Sequence, residues 1–190
     1  MWAARGGASE DVIKLLLQAG SDVHALSTVG STALIKAAQH NKMDVVTALL
    51  EAGSDVHSRG TYGTTALMCA AEGNKLDVVT ALLEAGSDVH AQTTVGRTAL
   101  MEAAGYNKLD VVTALIQAGS DVHAQRTDGR TALMCAAGYN KLDVVTALVE
   151  AGSNVHAQTT SGVTALMLAA NNTSSDKDAI IRLLQQKSKR

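Results

Sequence analysis

Proline and phenylalanine are both missing from the 190 residues, and the aromatic set amounts to three Tyr and one Trp. A rounded globule of this length fills its centre with large side chains, so a different architecture is expected. Cysteine occurs only at Cys69 and Cys135, too sparsely for a small secreted domain stapled by disulfides. Both are read as free thiols in a reducing compartment, the cytosol, with the nucleus as the alternative. An excess of one charge is lacking too, with 16 Lys and Arg against 18 Asp and Glu, which argues against a basic nucleic-acid binder. No apolar run is long enough to cross a bilayer, and the opening MWAARGGASE lacks the apolar core of a secretion signal. Nor is there a phosphate- or dinucleotide-binding glycine loop, or a nucleophile with its base and orienter. The expectation is no enzyme, no cofactor, no membrane and no nucleic-acid partner.

What is abundant is alanine, 32 residues of it, the side chain that lets helices approach closely. The sequence also repeats. GSDVH begins at Gly20, Gly53, Gly86 and Gly119, and GSNVH at Gly152, each step being 33 residues. Between them recur STALIKAA, TTALMCAA, RTALMEAA, RTALMCAA and VTALMLAA, and units 91–123 and 124–156 differ at six of 33 positions. Each unit reads as helix, tight turn, helix and extended loop. Thr98 is placed to cap the first helix, with Ala99, Leu100, Ala103 and Ala104 as its buried stripe. Asn107 stands at the turn back. Val111, Val112, Leu115 and Ile116 form the stripe of the second helix, Asp110 favours its dipole at the start, and Gly119 ends it. Lys108, Asp110, Thr113 and Gln117 face outward. A second glycine phase, Gly30, Gly63, Gly96, Gly129 and Gly162, lies two residues before the capping Thr and predicts positive φ in a turn between units.

A helix pair of this kind cannot bury its apolar face alone, so an elongated stack with nearest-neighbour contacts is predicted. At a helix spacing of ~8–10 Å, six units span roughly 50–60 Å. The period of 33 and the segments Thr65 to Ala70, Thr98 to Ala103 and Thr131 to Ala136, which follow a T-P-L-H-x-A pattern as T-A-L-M-x-A, resemble the ankyrin-repeat family. Asp-Val-His at 22–24, 55–57, 88–90 and 121–123 matches the family's D-V-N. The resemblance covers essentially the whole chain. It implies an all-α solenoid of stacked helix–turn–helix units joined by hairpin-like loops: an incomplete first unit at 1–24, full units at 25–57, 58–90, 91–123 and 124–156, and a capping unit at 157–190. Two departures are systematic. The family's Pro becomes Ala33, Ala66, Ala99, Ala132 and Ala165, and its His becomes Ile35, Met68, Met101, Met134 and Met167. Met1 aligns within a first helix, so the chain is expected to be a piece of a longer one, with Trp2 near an exposed edge. Lys187, Lys189 and Arg190 are read as a solvated tail. The phase of Ala48, Ala81, Ala114 and Ala147 becomes Leu15 at one end and Arg182 at the other, the Arg suiting a terminal cap.

Five histidines, His24, His57, His90, His123 and His156, keep the 33-residue register. Neighbours ~8–10 Å apart cannot share a zinc ion whose ligands lie ~2 Å away, so local bonding at the unit boundary is expected and no metal site. By the same spacing Cys69 and Cys135, two units apart, lie too far from each other to bridge.

Variation over the repeat concentrates in two phases, the loop tips and the first helices. The resemblance implies that these phases line a concave groove for a partner; drift on a solvated surface is the competing explanation. The candidate groove residues are Tyr62, Arg97, Glu102, Tyr106, Asp128, Arg130, Cys135 and Tyr139. Tyr106 and Tyr139 share one phase on adjacent units, with their rings expected side by side ~10 Å apart. The expected function is a monomeric protein-interaction module taking an unidentified protein or peptide. The alternatives are a structural spacer, a designed or consensus-like scaffold without a specific ligand, and, more distantly, a small-ligand or enzymatic domain.

Overall fold

Five threonines start five helices in the same way. Thr32, Thr65, Thr98, Thr131 and Thr164 are extended, and each hydroxyl accepts from the amide three residues on, at 3.3 Å. Each such bond satisfies an otherwise unpaired helix amide and contributes about 1 kcal/mol. The computed structural model describes residues 10–40, 42–73, 75–106, 108–139, 141–171 and 173–188. The capped, inner helices are α2 (Ala33–Gln39), α4 (Ala66–Glu72), α6 (Ala99–Gly105), α8 (Ala132–Gly138) and α10 (Ala165–Ala170). The outer helices are α1 (Glu10–Gln18), α3 (Met43–Glu51), α5 (Leu76–Glu84), α7 (Leu109–Gln117), α9 (Leu142–Glu150) and α11 (Lys177–Lys187). Expectations about Met1, Trp2, Asn107, Lys189 and Arg190 fall outside the described residues.

The inner helices are short, and all but α10, which leaves Met167 exposed at the end of the stack, are largely enclosed. Ala37, Ala38, Ala70, Ala71, Ala103, Ala104, Ala136 and Ala137 have no accessible surface, because each inner helix sits between two others at close range. Leu34, Leu67, Leu100 and Leu133 fill the space toward the outer layer; burying a side chain of this size contributes about 2 kcal/mol. Met68, Met101 and Met134 are buried as well, so the thioether occupies the place of the family's His as packing, while the backbone amide of the same residue meets the capping Thr. The outer helix α7 buries Val111, Val112 and Leu115, as α5 and α9 bury the same phases, with Ile116 only half-buried; in α1 at the end of the stack Val12 and Leu16 are exposed.

The substantial helix contacts join either the two helices of one unit or like helices of adjacent units. That is the nearest-neighbour topology of a solenoid. Both glycine phases adopt the predicted geometry, with positive φ at Gly20, Gly30, Gly53, Gly63, Gly86, Gly96, Gly119, Gly129, Gly152 and Gly162. At Gly119 the amide donates to Ile116 O and the Ser120 amide to Leu115 O, both at 3.0 Å. This closes the helix in a Schellman motif, which needs a left-handed residue.

The loops fold as small hairpins without a β-strand among the described residues. In unit 91–123 the Thr93 amide donates to Arg97 O at 3.0 Å, and Gly96 donates to Thr93 O at 2.9 Å. Successive hairpins then join through the carbonyl of the tip residue. Thr94 N donates to Tyr62 O (2.8 Å), Thr127 N to Val95 O (3.1 Å) and Thr160 N to Asp128 O (2.9 Å), while the Thr61 hydroxyl donates to Val29 O. One loop departs from the pattern. Tyr62 has φ 65° and ψ 15°, the single non-glycine residue with positive φ among those described. In three other loops a hydroxyl at Ser27, Thr93 or Thr159 accepts from the amide four residues on. The corresponding residue here is Gly60, which has no side chain to do so.

Candidate functional site

The register that stacks the units also lines up their loop tips and inner helices along one surface. Across units 91–123 and 124–156 this surface is an open groove of about 560 Å³, which Arg97, Tyr106, Arg130, Cys135 and Tyr139 help to line. Met101 and Met134 form part of its floor. Beside it a second depression of about 260 Å³ is bordered by Tyr62, Cys69, Glu72, Arg97 and Glu102. All the candidate residues except Asp128 line one or other of these depressions.

Within that frame several side chains are already engaged. Glu102 borders the second depression but is only 8% exposed and lies beneath Arg97, whose Nη2 donates to its Oε2 at 2.5 Å. Glu102 follows Arg97 by five positions, which brings a loop guanidinium down over the first turn of the inner helix. Burial pushes the Glu102 carboxyl above its ordinary range, against the opposing pull of the Arg97 charge. Asp128, half-buried at its loop tip, accepts from the Arg130 amide at 3.1 Å. Its Oδ2 lies 3.4 Å from Arg126 Nη2 and 3.7 Å from Arg130 Nε, beyond good hydrogen-bond distance in both cases.

The two rings differ in their surroundings. Tyr106 is 51% exposed and Tyr139 65%. The negative charge of nearby Glu72, the largest influence on the Tyr106 phenol, raises its pKa. One unit further on, the place of Glu72 is taken by Gly105. A Cβ there would stand 3.9 Å from the Tyr139 ring, so the ring lies over bare backbone with no carboxylate beneath it. Tyr62 projects from its loop tip, 74% exposed. Cys135 is half-buried in the groove floor, and burial raises its pKa despite Arg126, Arg130 and Arg97 nearby.

Arg126 is the groove residue that the sequence reading passed over. Its Nε is buried with no hydrogen-bond partner, and it lines the groove. The signal was present, since Arg126 against Thr93 is one of the six differences between the two most similar units. Lys141 also lines the groove, but it recurs as Lys42, Lys75 and Lys108 and so read as scaffold.

The registered histidines are exposed. What bonds locally there is the backbone: the amides of His24, His57, His90, His123 and His156 donate to the side chain two residues earlier, at 2.8–2.9 Å. Among the described residues no three His, Cys, Asp or Glu gather as a metal site. Cys69 and Cys135 are free thiols. Among the described residues, too, no helix is long and apolar enough to cross a membrane.

Stacked helix pairs, edge-joined hairpin loops and an open groove along one side define a helical repeat protein built for surface contact. The family model for ankyrin repeats (3 copies) matches residues 1–93 and 100–189, and the chain belongs to the ankyrin-repeat family. Members of this family are in general non-enzymatic protein–protein interaction modules. No curated protein matches the chain.

Proposed function

We propose that the chain binds a partner protein or peptide through the groove formed by its loop tips and inner helices, centred on units 91–123 and 124–156. The observation that carries this is the exposure of Tyr106 and Tyr139 in a groove of about 560 Å³. Tyrosine and arginine are the side chains most often responsible for binding energy at interfaces, and here both types line one open surface. The groove is open rather than enclosed, which favours an extended segment. The free thiols support residence in the cytosol or nucleus. Affinity capture from a cell lysate, run in parallel with the intact chain and with Tyr106→Ala/Tyr139→Ala, tests the proposal. Helicity should be unchanged, because exposed substitutions shift stability by about 0.5 kcal/mol or less. Binding of the captured partner should weaken by about 2 kcal/mol or more. A partner held equally well by the double variant would place the contact elsewhere.

A further inference from the structure

The groove is not electrically uniform. Over units 91–156 its lining contains Arg97, Arg126, Arg130 and Lys141 and no carboxylate. The neighbouring depression is bordered by Glu72 and Glu102 against Arg97 alone, so the sign reverses within one unit. Of the cations, Arg97 is closely paired with Glu102. Arg126 and Arg130 share one carboxylate, Asp128, at 3.4 and 3.7 Å, and Arg126 Nε is buried without a partner. Glu102, already paired with Arg97, also feels the Arg126 charge, yet neither Arg126 nor Arg130 has a side-chain carboxylate within good hydrogen-bond distance, so donors and positive charge remain unanswered. Around them the surface is apolar and open: Met134 and Leu168 line it, and Gly105 and Gly138 leave room for a main chain to approach.

Building on the interaction reading, we infer that the occupant of this stretch is an extended acidic peptide segment. Its carboxylates lie on Arg126, Arg130 and Lys141, and an apolar side chain sits by the Tyr139 ring over Met134 and Leu168. Guanidinium and carboxylate match in geometry as well as charge. The chain's own near-neutral balance, net −2, makes the local excess a property of this groove.

The test is selection of a displayed random peptide library on the full chain, followed by anisotropy titration of the selected peptides in synthetic form. Enriched sequences should be net acidic, and their affinity should fall as salt is added. Arg130→Gln, at an exposed position that leaves the fold intact, and Arg126→Gln should each weaken binding about tenfold or more. The charge-matched control Lys187→Gln on α11 should leave it unchanged. The bound peptide should also slow labelling of Cys135 by a thiol reagent, which places it in the groove. Enrichment of neutral or basic sequences, or equal affinity in the Arg variants, overturns the acidic assignment while leaving an interaction module standing. Displacement of the selected peptide by a phosphoserine peptide or a single-stranded oligonucleotide that binds more tightly overturns it as well. No enrichment of any peptide on the folded chain overturns both readings together.

Discussion

Gly129 and Gly162 occupy the same place in successive loops and have nearly the same backbone, φ 82° and 78°. They differ in what lies opposite. A Cβ on Gly129 would stand 2.8 Å from Thr159 Cα and 3.0 Å from Gln158 O, whereas one on Gly162 would meet nothing within 4 Å. Alanine in the left-handed region is disfavoured by about 1 kcal/mol, and that is the whole effect expected for Gly162→Ala. For Gly129→Ala the obstructing atoms are backbone and cannot rotate aside, so an overpacking penalty of about 2 kcal/mol is added, giving about 3 kcal/mol in all. The displaced loop would also strain the bond from Thr160 N to Asp128 O. Urea denaturation followed by circular dichroism measures both variants. Because the damage lies between two units, Gly129→Ala should broaden the transition as the last unit detaches early, while Gly162→Ala should only shift it. Equal losses from the two substitutions would refute the argument that neighbouring loops are packed to contact at this phase.

Glu102 offers a pH experiment. Folding raises its pKa, so the folded chain holds this proton more tightly than the unfolded one. Its contribution to stability is therefore fully present below the ordinary carboxylate range and is lost as pH rises through the folded value. The difference in stability between Glu102→Gln and the parent should shift in favour of the variant between about pH 4 and about pH 7; a constant difference would show that Arg97 fully offsets the burial. Tyr62→Gly should relieve the positive φ of an exposed ring and raise stability by about 1 kcal/mol in urea melts, and a loss would assign the ring a packing role. Burial pushes the Cys69 thiol from 9.0 to about 11, so its thiolate population at neutral pH falls about a hundredfold. Labelling should be slow until the protein is denatured, and prompt reaction of native Cys69 would contradict the burial.

Among the described residues, the sequence identified every glycine that takes positive φ and every threonine that caps an inner helix, because both depend only on position within the period. Residues in one phase meet equivalent surroundings, so a pattern seen five times is effectively five observations of one geometry. What escaped depends on contacts between phases. Arg97 folding over Glu102, Asp128 lying between Arg126 and Arg130, and the charge of Glu72 acting on Tyr106 each join residues whose separation the repeat does not relate. Tyr62 is a fourth case: glycine at position 60 removes the hydroxyl bond used by sibling loops, and nothing in the period announces how the backbone answers.

Arg59 Nη1 reaches across to Gln92 O at 3.3 Å, but the inter-loop bonds made at the tips all terminate on the main-chain carbonyl of the tip residue, whether that residue is Val29, Tyr62, Val95 or Asp128. A carbonyl is common to every amino acid. The part of the tip that holds the stack together is thus indifferent to its identity, and the part that meets a partner carries none of the inter-loop bonding. Specificity in such a surface can be rewritten one tip at a time, with each change acting locally and no compensating change required in the helices behind it. The molecule separates what it must keep from what it is free to vary at the level of single residues, main chain for one and side chain for the other.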